Sequence, residues 1–343
     1  MTDWPTSSGR FDLGDLPVQC GGVLPGAELS WKTHGTLSPA RDNVVLYPTS
    51  YSAQHPDLEW LIGPDGVLDP DRWFVVVPDM FSNGLSSSAS HTDQQDPSAW
   101  PEVVTVADNV RAQHRLLTEV FDVQRIQAAY GFSMGAGQAY HWAAMYPELV
   151  ERAIVVCGSA RTSVHNQVFL RGLLRILEAA PEHLGGGRFA SEPVAAKRAF
   201  GEVYAGWGLS QDFYRAGLYS TVLGFADLDS FLQAEWVDSF ARSKAADLYA
   251  QATTWLHGDI SATADHGGDL PAALAAIRAR VLLVPSETDL YFRVADNAAE
   301  LEHLRSGRLA VIPSIWGHWA GSPEGLPAET AFLTGVVREW LES

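Results

Sequence analysis

The sequence predicts an α/β fold with a mostly parallel central sheet. Two apolar runs, 44–47 and 73–78, are continuous rather than alternating, as expected for parallel strands that are buried on both faces. A stretch with helical spacing of apolar residues follows at 103–120. The pentapeptide 131–135 then joins a short apolar strand to a helix. Such alternation of buried strands and helices is typical of a sheet with helices on both faces.

The composition fits a globular protein and excludes several classes of partner. Of the 343 residues, 46% are hydrophobic and 19% are charged, which suits a sizeable core. The net charge is −18, so we expect no nucleic-acid partner and no binding to an anionic membrane. Without a run of about 18 apolar residues, we expect no transmembrane helix, and the first residues, with no basic and no apolar region, lead us to expect no signal peptide. With only Cys20 and Cys157, no disulfide framework is expected, and we predict a cytoplasmic protein.

The first half of the chain contains most of the predicted sheet. Residues 1–40 are rich in glycine and proline with short alternating runs, and they predict an antiparallel hairpin. The strands 44–47 and 73–78 and the helix 103–120 follow. Asp108 falls outside the apolar stripe of that helix and is expected to face solvent. The elbow strand, the elbow helix and a further strand complete this half, at 125–130, 136–146 and 153–157.

The residue composition and the predicted secondary structure change at about residue 161. From 161 to 268 strand-like runs disappear and helical stretches carry many aromatic residues, which indicates a helical lid or cap. The sheet resumes with strands at 281–285 and 309–313, and a last helix covers 328–341. We therefore predict an insertion into a single core. The predicted core comprises 1–160 and 269–343, and the predicted helical lid comprises 161–268.

The stretch Gly131-Phe132-Ser133-Met134-Gly135 indicates the nucleophile of an enzyme. Between a strand and a helix, the G-x-S-x-G pattern forms a turn so sharp that its serine has a strained backbone and an exposed hydroxyl. The glycines let the strand and the helix approach each other closely. A chance match in a chain with 30 glycines is the alternative, but the flanking strand and helix argue against it. Ser133 is the predicted nucleophile.

A serine nucleophile needs a base to take its proton and an acid to orient that base. In hydrolases with this turn, the chain order is serine, acid, histidine, and the latter two follow later strands. Asp289 lies four residues past the penultimate predicted strand, and Glu287 is the alternative acid in the same loop. His318 follows the last predicted strand on a loop, directly after Gly317. The predicted catalytic triad is therefore Ser133, Asp289 and His318.

The negative charge that develops on the substrate oxygen needs two backbone N–H donors. We expect one from Met134, which directly follows the serine. The other is expected from the loop after strand 44–47, where we assign Tyr51, with Ser52 beside it in the substrate pocket. The sequence shows no metal-ligand cluster, no G-x-G-x-x-G after a strand and no Walker-type lysine loop. We therefore predict chemistry with neither a cofactor nor a metal.

The chain resembles the homoserine O-acetyltransferase family within the α/β-hydrolase fold. The resemblance covers most of the chain, and the segments that carry it are 21–47, 105–113, 131–139 and 159–166. It implies an α/β-hydrolase fold with a helical lid inserted before the strand that carries the acid. It also implies the triad named above, Met134 and Tyr51 as oxyanion donors, and a homodimer through the lid.

Two departures from that family change the expected substrate. The family has a His-Ala-Leu-Thr-Gly stretch at the oxyanion loop, where this chain has Thr49-Ser50-Tyr51-Ser52-Ala53. The family also has an aspartate directly after the catalytic histidine that binds the amino group of homoserine, and here that residue is Trp319. An indole forms no salt bridge with an ammonium group. Homoserine is therefore not the expected substrate, and Trp319 is expected to line the substrate pocket.

These observations predict a serine hydrolase, a carboxylesterase that cleaves small to medium acyl esters through an acyl-enzyme on Ser133. The alternative is an acyl-CoA-dependent O-acyltransferase acting on a small alcohol, although the charge of −18 disfavours a polyanionic CoA ester. A non-catalytic ligand-binding member of the fold is a third possibility, which the complete set of triad residues argues against. The expected partner is a small-molecule ester.

Overall fold

The computed structural model describes residues 4–343. Its strands are β1 (Thr6–Pro17), β2 (Val23–His34), β3 (Val44–Leu46), β4 (Phe74–Pro78), β5 (Ile126–Phe132), β6 (Arg152–Val156), β7 (His183–Gly185), β8 (Arg188–Phe189), β9 (Arg280–Val284) and β10 (Gly307–Leu309). Its α-helices are α1 (Val106–Arg115), α2 (Met134–Met145), α3 (Val164–Glu178), α4 (Val194–Gly208), α5 (Gln211–Arg215), α6 (Leu218–Thr221), α7 (Leu228–Phe231), α8 (Asp238–Arg242), α9 (Ala245–Leu256), α10 (Leu270–Ala276), α11 (Val294–Leu301) and α12 (Pro327–Glu342).

The central sheet is mostly parallel, which confirms the predicted fold class. Within the described residues its strand order is β1-β2-β4-β3-β5-β6-β9-β10. Only β2 runs against its neighbours, because it pairs antiparallel with both β1 and β4. The pairs from β4 to β10 are all parallel. The loops after β3, β5 and β9 therefore leave the sheet at the same edge.

Both faces of the sheet are buried, which explains the continuous apolar runs in the sequence. In β3, Val45 packs into one hydrophobic cluster and Val44 and Leu46 into another, and all three are 0% exposed. Helices α1, α2 and α10 cover the face of Val44, while α3, α4, α9 and α12 pack into the cluster of Val45. Successive strand residues thus alternate between two cores.

The helix predicted at 103–120 begins three residues later in the structure, and its last turn is π-helical. It comprises α1 and a π-helical turn at Leu116–Val120. The prediction that Asp108 faces solvent is wrong, since its side chain is 0% exposed. Its carboxylate accepts the backbone N–H groups of Thr105 and Gln19, both at 2.8 Å, and pairs with Arg111. It caps the amino end of the helix, where a negative charge is favourable.

Residues 161–268, which we call the cap segment, are mostly helical as expected. They include α3 to α9, and a turn of three glycines at 185–187 connects the short hairpin of β7 and β8. The two ends of the segment approach each other, because Arg161 and Asp259 form a backbone bridge and a salt bridge of 2.7 Å. Among the described residues, no helix has the length and apolar character needed to cross a membrane.

Candidate active site

Ser133 sits in a strained turn between a strand and a helix. Its φ of 57° and ψ of −123° lie in a region that residues with a side chain rarely adopt. The turn requires glycine at position 131, since a Cβ there would lie 2.1 Å from the backbone oxygen of Gly135. The backbone N–H of Ser133 donates to the carbonyl of Val156 at 3.0 Å, which fixes the turn to β6. The serine is therefore held rigidly at the carboxyl end of β5.

Ser133, His318 and Asp289 form a continuous series of hydrogen bonds. The distance from Ser133 Oγ to His318 Nε2 is 2.9 Å, and that from His318 Nδ1 to Asp289 Oδ2 is 2.7 Å. Because the carboxylate only accepts, Nδ1 carries the proton and Nε2 is left to accept the serine hydroxyl. The three residues are 4–7% exposed. Glu287, the alternative acid, has an exposed side chain.

The loop after β9 fixes the orientation of Asp289. Its Oδ1 accepts the backbone N–H groups of Tyr291 at 2.7 Å and Phe292 at 3.2 Å, which leaves Oδ2 for His318. The neighbouring Thr288 connects this loop to the histidine loop, since its hydroxyl donates to the Ser314 carbonyl at 2.8 Å and accepts the Gly317 N–H at 3.1 Å. The acid and the base are thus positioned by one hydrogen-bonded unit.

Aromatic rings enclose the His318 imidazole. The ring centroids of Phe132, Tyr291 and Phe292 lie 4.6, 5.0 and 5.5 Å from that of His318. Packing on several sides limits rotation of the imidazole and excludes water from its surroundings. Low local polarity strengthens the hydrogen bonds on both of its nitrogens.

Cys157 lies beside the same carboxylate. The Sγ atom of Cys157, a carboxylate oxygen of Asp289 and a ring nitrogen of His318 all lie within 4.8 Å of one another. Burial, followed by the charge of Asp289, raises the pKa of the Cys157 thiol well above its ordinary value. The sulfur therefore stays protonated. Both nitrogens of His318 already form hydrogen bonds, with Ser133 and Asp289, so the imidazole has no free nitrogen to offer a metal ion.

The two segments that carry the predicted oxyanion donors, Met134 and Tyr51, pack closely against each other. Met134 is the first residue of α2, and the first N–H groups of a helix have no acceptor within it. The loop that carries Tyr51 packs against this turn, since a Cβ on Gly135 would lie 2.7 Å from the Pro48 carbonyl oxygen. Gln138 of α2 donates to the Thr49 carbonyl at 2.8 Å and fixes the loop to the elbow helix.

A small cavity of about 20 Å³ opens beside Ser133. The residues that line it with Ser133 are Val106, Met134, Gly137, His141, Ser159, Thr162, Trp255, Gly258 and Phe292. Its volume is enough for the centre of one or two water molecules. Burial lowers the pKa of His141, whose Nδ1–H donates to the Gly137 carbonyl at 2.7 Å, so this imidazole is neutral. The cavity is narrow and mostly uncharged.

Sequence reasoning missed most of this lining. Phe292 had a usable signal, because it follows Asp289 by three residues in the loop that positions the acid. Trp255 had none, since it belongs to α9, far from the other site residues in the sequence. Thr162 likewise lies at the beginning of the cap segment. Side chains from this segment are placed by tertiary packing, which no local motif announces.

The predicted pocket residues Trp319 and Ser52 lie elsewhere. Trp319 is half-buried, and its ring stacks on that of Trp236 with centroids 5.5 Å apart. Ser52 lines a larger, polar cavity of about 470 Å³ between the loops after β3 and β4 and the cap segment. Neither residue is among the described residues that line the small cavity at Ser133.

Known proteins share this fold and much of this sequence. The sequence matches the family model of the alpha/beta hydrolase fold over residues 64–322. An ethyl acetate hydrolase of Pseudomonas veronii is 34% identical over 310 residues, or 90% of this chain and 88% of that protein. A homoserine O-succinyltransferase of Halorhodospira halophila is 30% identical, over 94% of this chain and 93% of that protein. The solved structure of the acetyl esterase MekB has a TM-score of 0.92 and 31% identity, covering 98% of this chain and 97% of that one.

The predicted resemblance to the homoserine O-acetyltransferase-like family of the α/β-hydrolase fold, as an esterase-type member, is confirmed. Both enzyme classes occur among the relatives, and the ethyl acetate hydrolase is more similar at 34% identity than the succinyltransferase at 30%. The family match includes the turn at Ser133 and extends to His318. The sheet order and the strand-turn-helix at Ser133 agree with that match. This chain belongs to the alpha/beta hydrolase fold family.

Proposed function

We propose that this protein is a serine carboxylesterase whose nucleophile is Ser133. The observation that carries the proposal is the series of hydrogen bonds from Ser133 through His318 to Asp289, at 2.9 and 2.7 Å. Relatives named as an ethyl acetate hydrolase and an acetyl esterase support ester hydrolysis as the reaction. The substrate class is therefore small, uncharged acyl esters.

The first half of the proposed reaction forms an ester on the enzyme. Ser133 Oγ attacks the substrate carbonyl carbon while His318 Nε2 takes the serine proton. The imidazolium that results is stabilised by Asp289, which already accepts Nδ1–H at 2.7 Å. The carbonyl oxygen becomes an anion and accepts N–H groups, for which we propose Met134 and Tyr51. Collapse of the tetrahedral intermediate breaks the ester bond, and the departing alcohol takes the proton from His318.

The second half returns the enzyme to its starting state. Water takes the place of the alcohol, gives a proton to His318 Nε2, and attacks the carbonyl carbon of the acyl-enzyme. The same two N–H groups stabilise the second oxyanion. Ser133 Oγ leaves as it regains the proton, and the acid product is released. Each step uses only side chains and backbone groups of this chain.

The cavity beside Ser133 supports a preference for short acyl groups. It measures about 20 Å³, and Trp255 and Phe292 form part of its wall. An acetyl methyl group fits such a space, whereas each further methylene needs the aromatic wall to move. Discrimination of about 10- to 200-fold per methylene is within reach of an apolar pocket.

The replacement of the related family's aspartate by Trp319, directly after His318, supports water over an amino alcohol as the acyl acceptor, although Trp319 does not line the small cavity at Ser133. Its indole is stacked on Trp236 at 5.5 Å and contacts Phe231 edge-on at 6.4 Å. No carboxylate is supplied at this position to bind an ammonium group. An acceptor such as homoserine would lose a charge-assisted hydrogen bond worth about 1.5–3 kcal/mol. Acyl transfer to homoserine is therefore disfavoured relative to hydrolysis.

The cap segment, 161–268, is proposed to close the site and to carry a homodimer interface. Ser133 is 4% exposed, and Trp255 of this segment contributes to its cavity.

The outer surface of the segment exposes several valines, notably Val164 at 77% and Val168 at 62%, one helical turn apart on α3. Light scattering on the purified protein is expected to give twice the chain mass, and a monomer at micromolar concentration would exclude the dimer.

The proposed function is tested with p-nitrophenyl esters of graded chain length. We expect the wild type to hydrolyse the acetate best, and Ser133→Ala to lower kcat by about 10⁴ or more while remaining folded. A parallel assay with acetyl-CoA and homoserine is expected to show no transfer above background. Retained hydrolysis in Ser133→Ala would contradict the nucleophile, and faster acetylation of homoserine than hydrolysis of the acetate ester would favour the transferase.

A further inference from the structure

The loop that carries Tyr51 makes a strained turn at its tip. The backbone N–H of Ala53 donates to the Ser50 carbonyl at 3.1 Å, which closes a four-residue turn over Tyr51 and Ser52. Ser52 occupies the third position of this turn with a φ of 56°. Positive φ at that position is typical of a type II turn and is normally met by glycine. A serine there prefers the alternative turn, in which the central peptide is flipped.

A buried glutamine of the cap segment holds this peptide in place. Gln251 is 1% exposed, and its Oε1 accepts the backbone N–H of Ser52 at 2.7 Å. The other end of its amide donates to the Phe81 carbonyl at 3.4 Å, so the side chain is oriented between the two backbones. The N–H of Ser52 belongs to the central peptide of the turn. Its hydrogen bond therefore selects the orientation that Ser52 alone would not favour.

The same helix holds the loop at a second point. Tyr51 donates its hydroxyl to the Leu248 carbonyl at 2.8 Å, and Leu248 precedes Gln251 by one turn of α9. Helix α9 is itself fixed to the core, since Asp247 accepts both the N–H and the hydroxyl of Ser90, at 2.8 and 2.6 Å. The oxyanion loop is thus attached to the elbow helix on one side and to the cap segment on the other.

We propose that Gln251 is a positioning residue for the oxyanion site, through which the cap segment sets the location of the Tyr51 N–H. The inference rests on the proposed function, and it adds a residue that no sequence motif contains. The peptide that Gln251 holds directly adjoins the peptide that carries the Tyr51 N–H. Without the hydrogen bond from Gln251 the strained turn is free to relax, and the adjoining Tyr51 N–H loses its fixed position while Ser133, His318 and Asp289 keep their hydrogen bonds.

The test compares Gln251→Leu with Gln251→Glu, which retains an oxygen acceptor for Ser52. We expect Gln251→Leu to lower kcat by about 10- to 100-fold with little change in KM, somewhat less than complete loss of an oxyanion donor. Gln251→Glu is expected to recover a substantial part of that loss. In Gln251→Leu, a trifluoromethyl ketone, which forms a tetrahedral adduct, is expected to bind more weakly, in parallel with the fall in kcat/KM. The product alcohol is expected to bind as tightly as it does to the wild type.

Gln127→Leu is the matched control. Gln127 also binds a backbone group, the Asp42 carbonyl at 2.7 Å, but at the opposite end of the strands. Hydrogen exchange of residues 48–55 reports the loop independently of the reaction, and faster exchange is expected only in Gln251→Leu. Wild-type kcat in Gln251→Leu, an equal loss in Gln127→Leu, or no recovery in Gln251→Glu would each overturn the proposal. The proposed function fails separately, through retained activity of Ser133→Ala.

Discussion

At the scale of single residues, the sequence predicts those residues that belong to a local motif or follow a recognisable strand. Ser133 was found because a strand, two glycines and a helix surround it, and Asp289 and His318 because each follows a later strand. The structure brings these three into hydrogen-bond contact. Gln251 and Trp255 could not be found in this way. Their positions depend on how the cap segment packs on the core, and their neighbours in the sequence carry no signal of it.

Glu300 is a second residue that sequence patterns did not single out. It lies on α11 and is 7% exposed. Its carboxylate accepts the Ala160 N–H at 2.8 Å, the Tyr140 hydroxyl at 2.9 Å and the Asn297 amide at 3.1 Å. These bonds join α11 to the elbow helix and to the loop after β6. Burial, which outweighs the hydrogen bonds, raises the pKa of Glu300 to about 7.

The raised pKa of Glu300 predicts how stability changes with pH. The folded protein holds the proton up to about pH 7, whereas the unfolded chain releases it near 4.5. Unfolding between these values releases a proton, so the free energy of unfolding falls as pH rises from 4.5 to 7 and then levels off. At 1.36 kcal/mol per pKa unit, the free energy of unfolding falls by about 3 kcal/mol in total because of this group. Glu300→Gln removes it.

The measurement is urea unfolding of the wild type and Glu300→Gln at several pH values from 4.5 to 8. The advantage of the wild type over the variant is expected to shrink as pH rises, because only the wild type has a proton to lose at this site. Using the difference between the two proteins cancels the contribution of every other titrating group. Stability curves that run parallel over this range would show that burial does not raise this pKa.

At the scale of elements, the sheet was more predictable than its surroundings. Strands such as β3 and β4 are buried on both faces, and that burial leaves a continuous apolar run which no other element of similar length explains. Asp108 shows where element-level reasoning fails. It lies outside the apolar stripe of its helix, yet it is buried because it caps the amino end beside Thr105. The Thr-x-x-Asp spacing was the signal that would have identified this role, and it was overlooked.

The edge of the sheet shows a second limit. The last strand was predicted at 309–313, whereas β10 ends at Leu309. Beyond it, Ala310 and Ile312 still donate their N–H groups to the Leu283 and Pro285 carbonyls, at 2.8 and 2.9 Å, and Ile312 forms an isolated bridge with Ser286. Backbone hydrogen bonding thus continues to the residue before Pro313, although the regular strand ends earlier. The apolar run therefore identified the strand but not its bounds.

At the scale of the whole molecule, the cap segment and the core build the site together. The core supplies Ser133, His318 and Asp289, while α9 of the cap segment supplies Trp255 to the wall of the cavity. The Trp255 ring lies against Phe292, with centroids 5.7 Å apart and planes 19° from parallel. Phe292 in turn contacts His318. The width of the cavity beside Ser133 is thus decided where the two parts of the molecule meet.

This arrangement predicts that the cap segment limits acyl chain length through Trp255. Trp255→Leu removes part of the aromatic wall, so longer acyl groups gain space beside Ser133. We expect the ratio of kcat/KM for a hexanoate ester to that for an acetate ester to rise by about 10-fold or more. The ratio is measured within one preparation, so partial unfolding of the variant affects both substrates equally.

Trp207→Leu is the control for this change, because Trp207 is also an aromatic residue of the cap segment that packs on Tyr291, at 6.1 Å, yet does not line the small cavity. Its loss loosens the same hydrophobic cluster without widening the space at Ser133. The hexanoate-to-acetate ratio is therefore expected to stay near the wild-type value in Trp207→Leu. An equal rise in both variants would mean that general loosening of the cap, and not the indole of Trp255, admits the longer chain, since only a residue in the wall changes the width of the cavity directly.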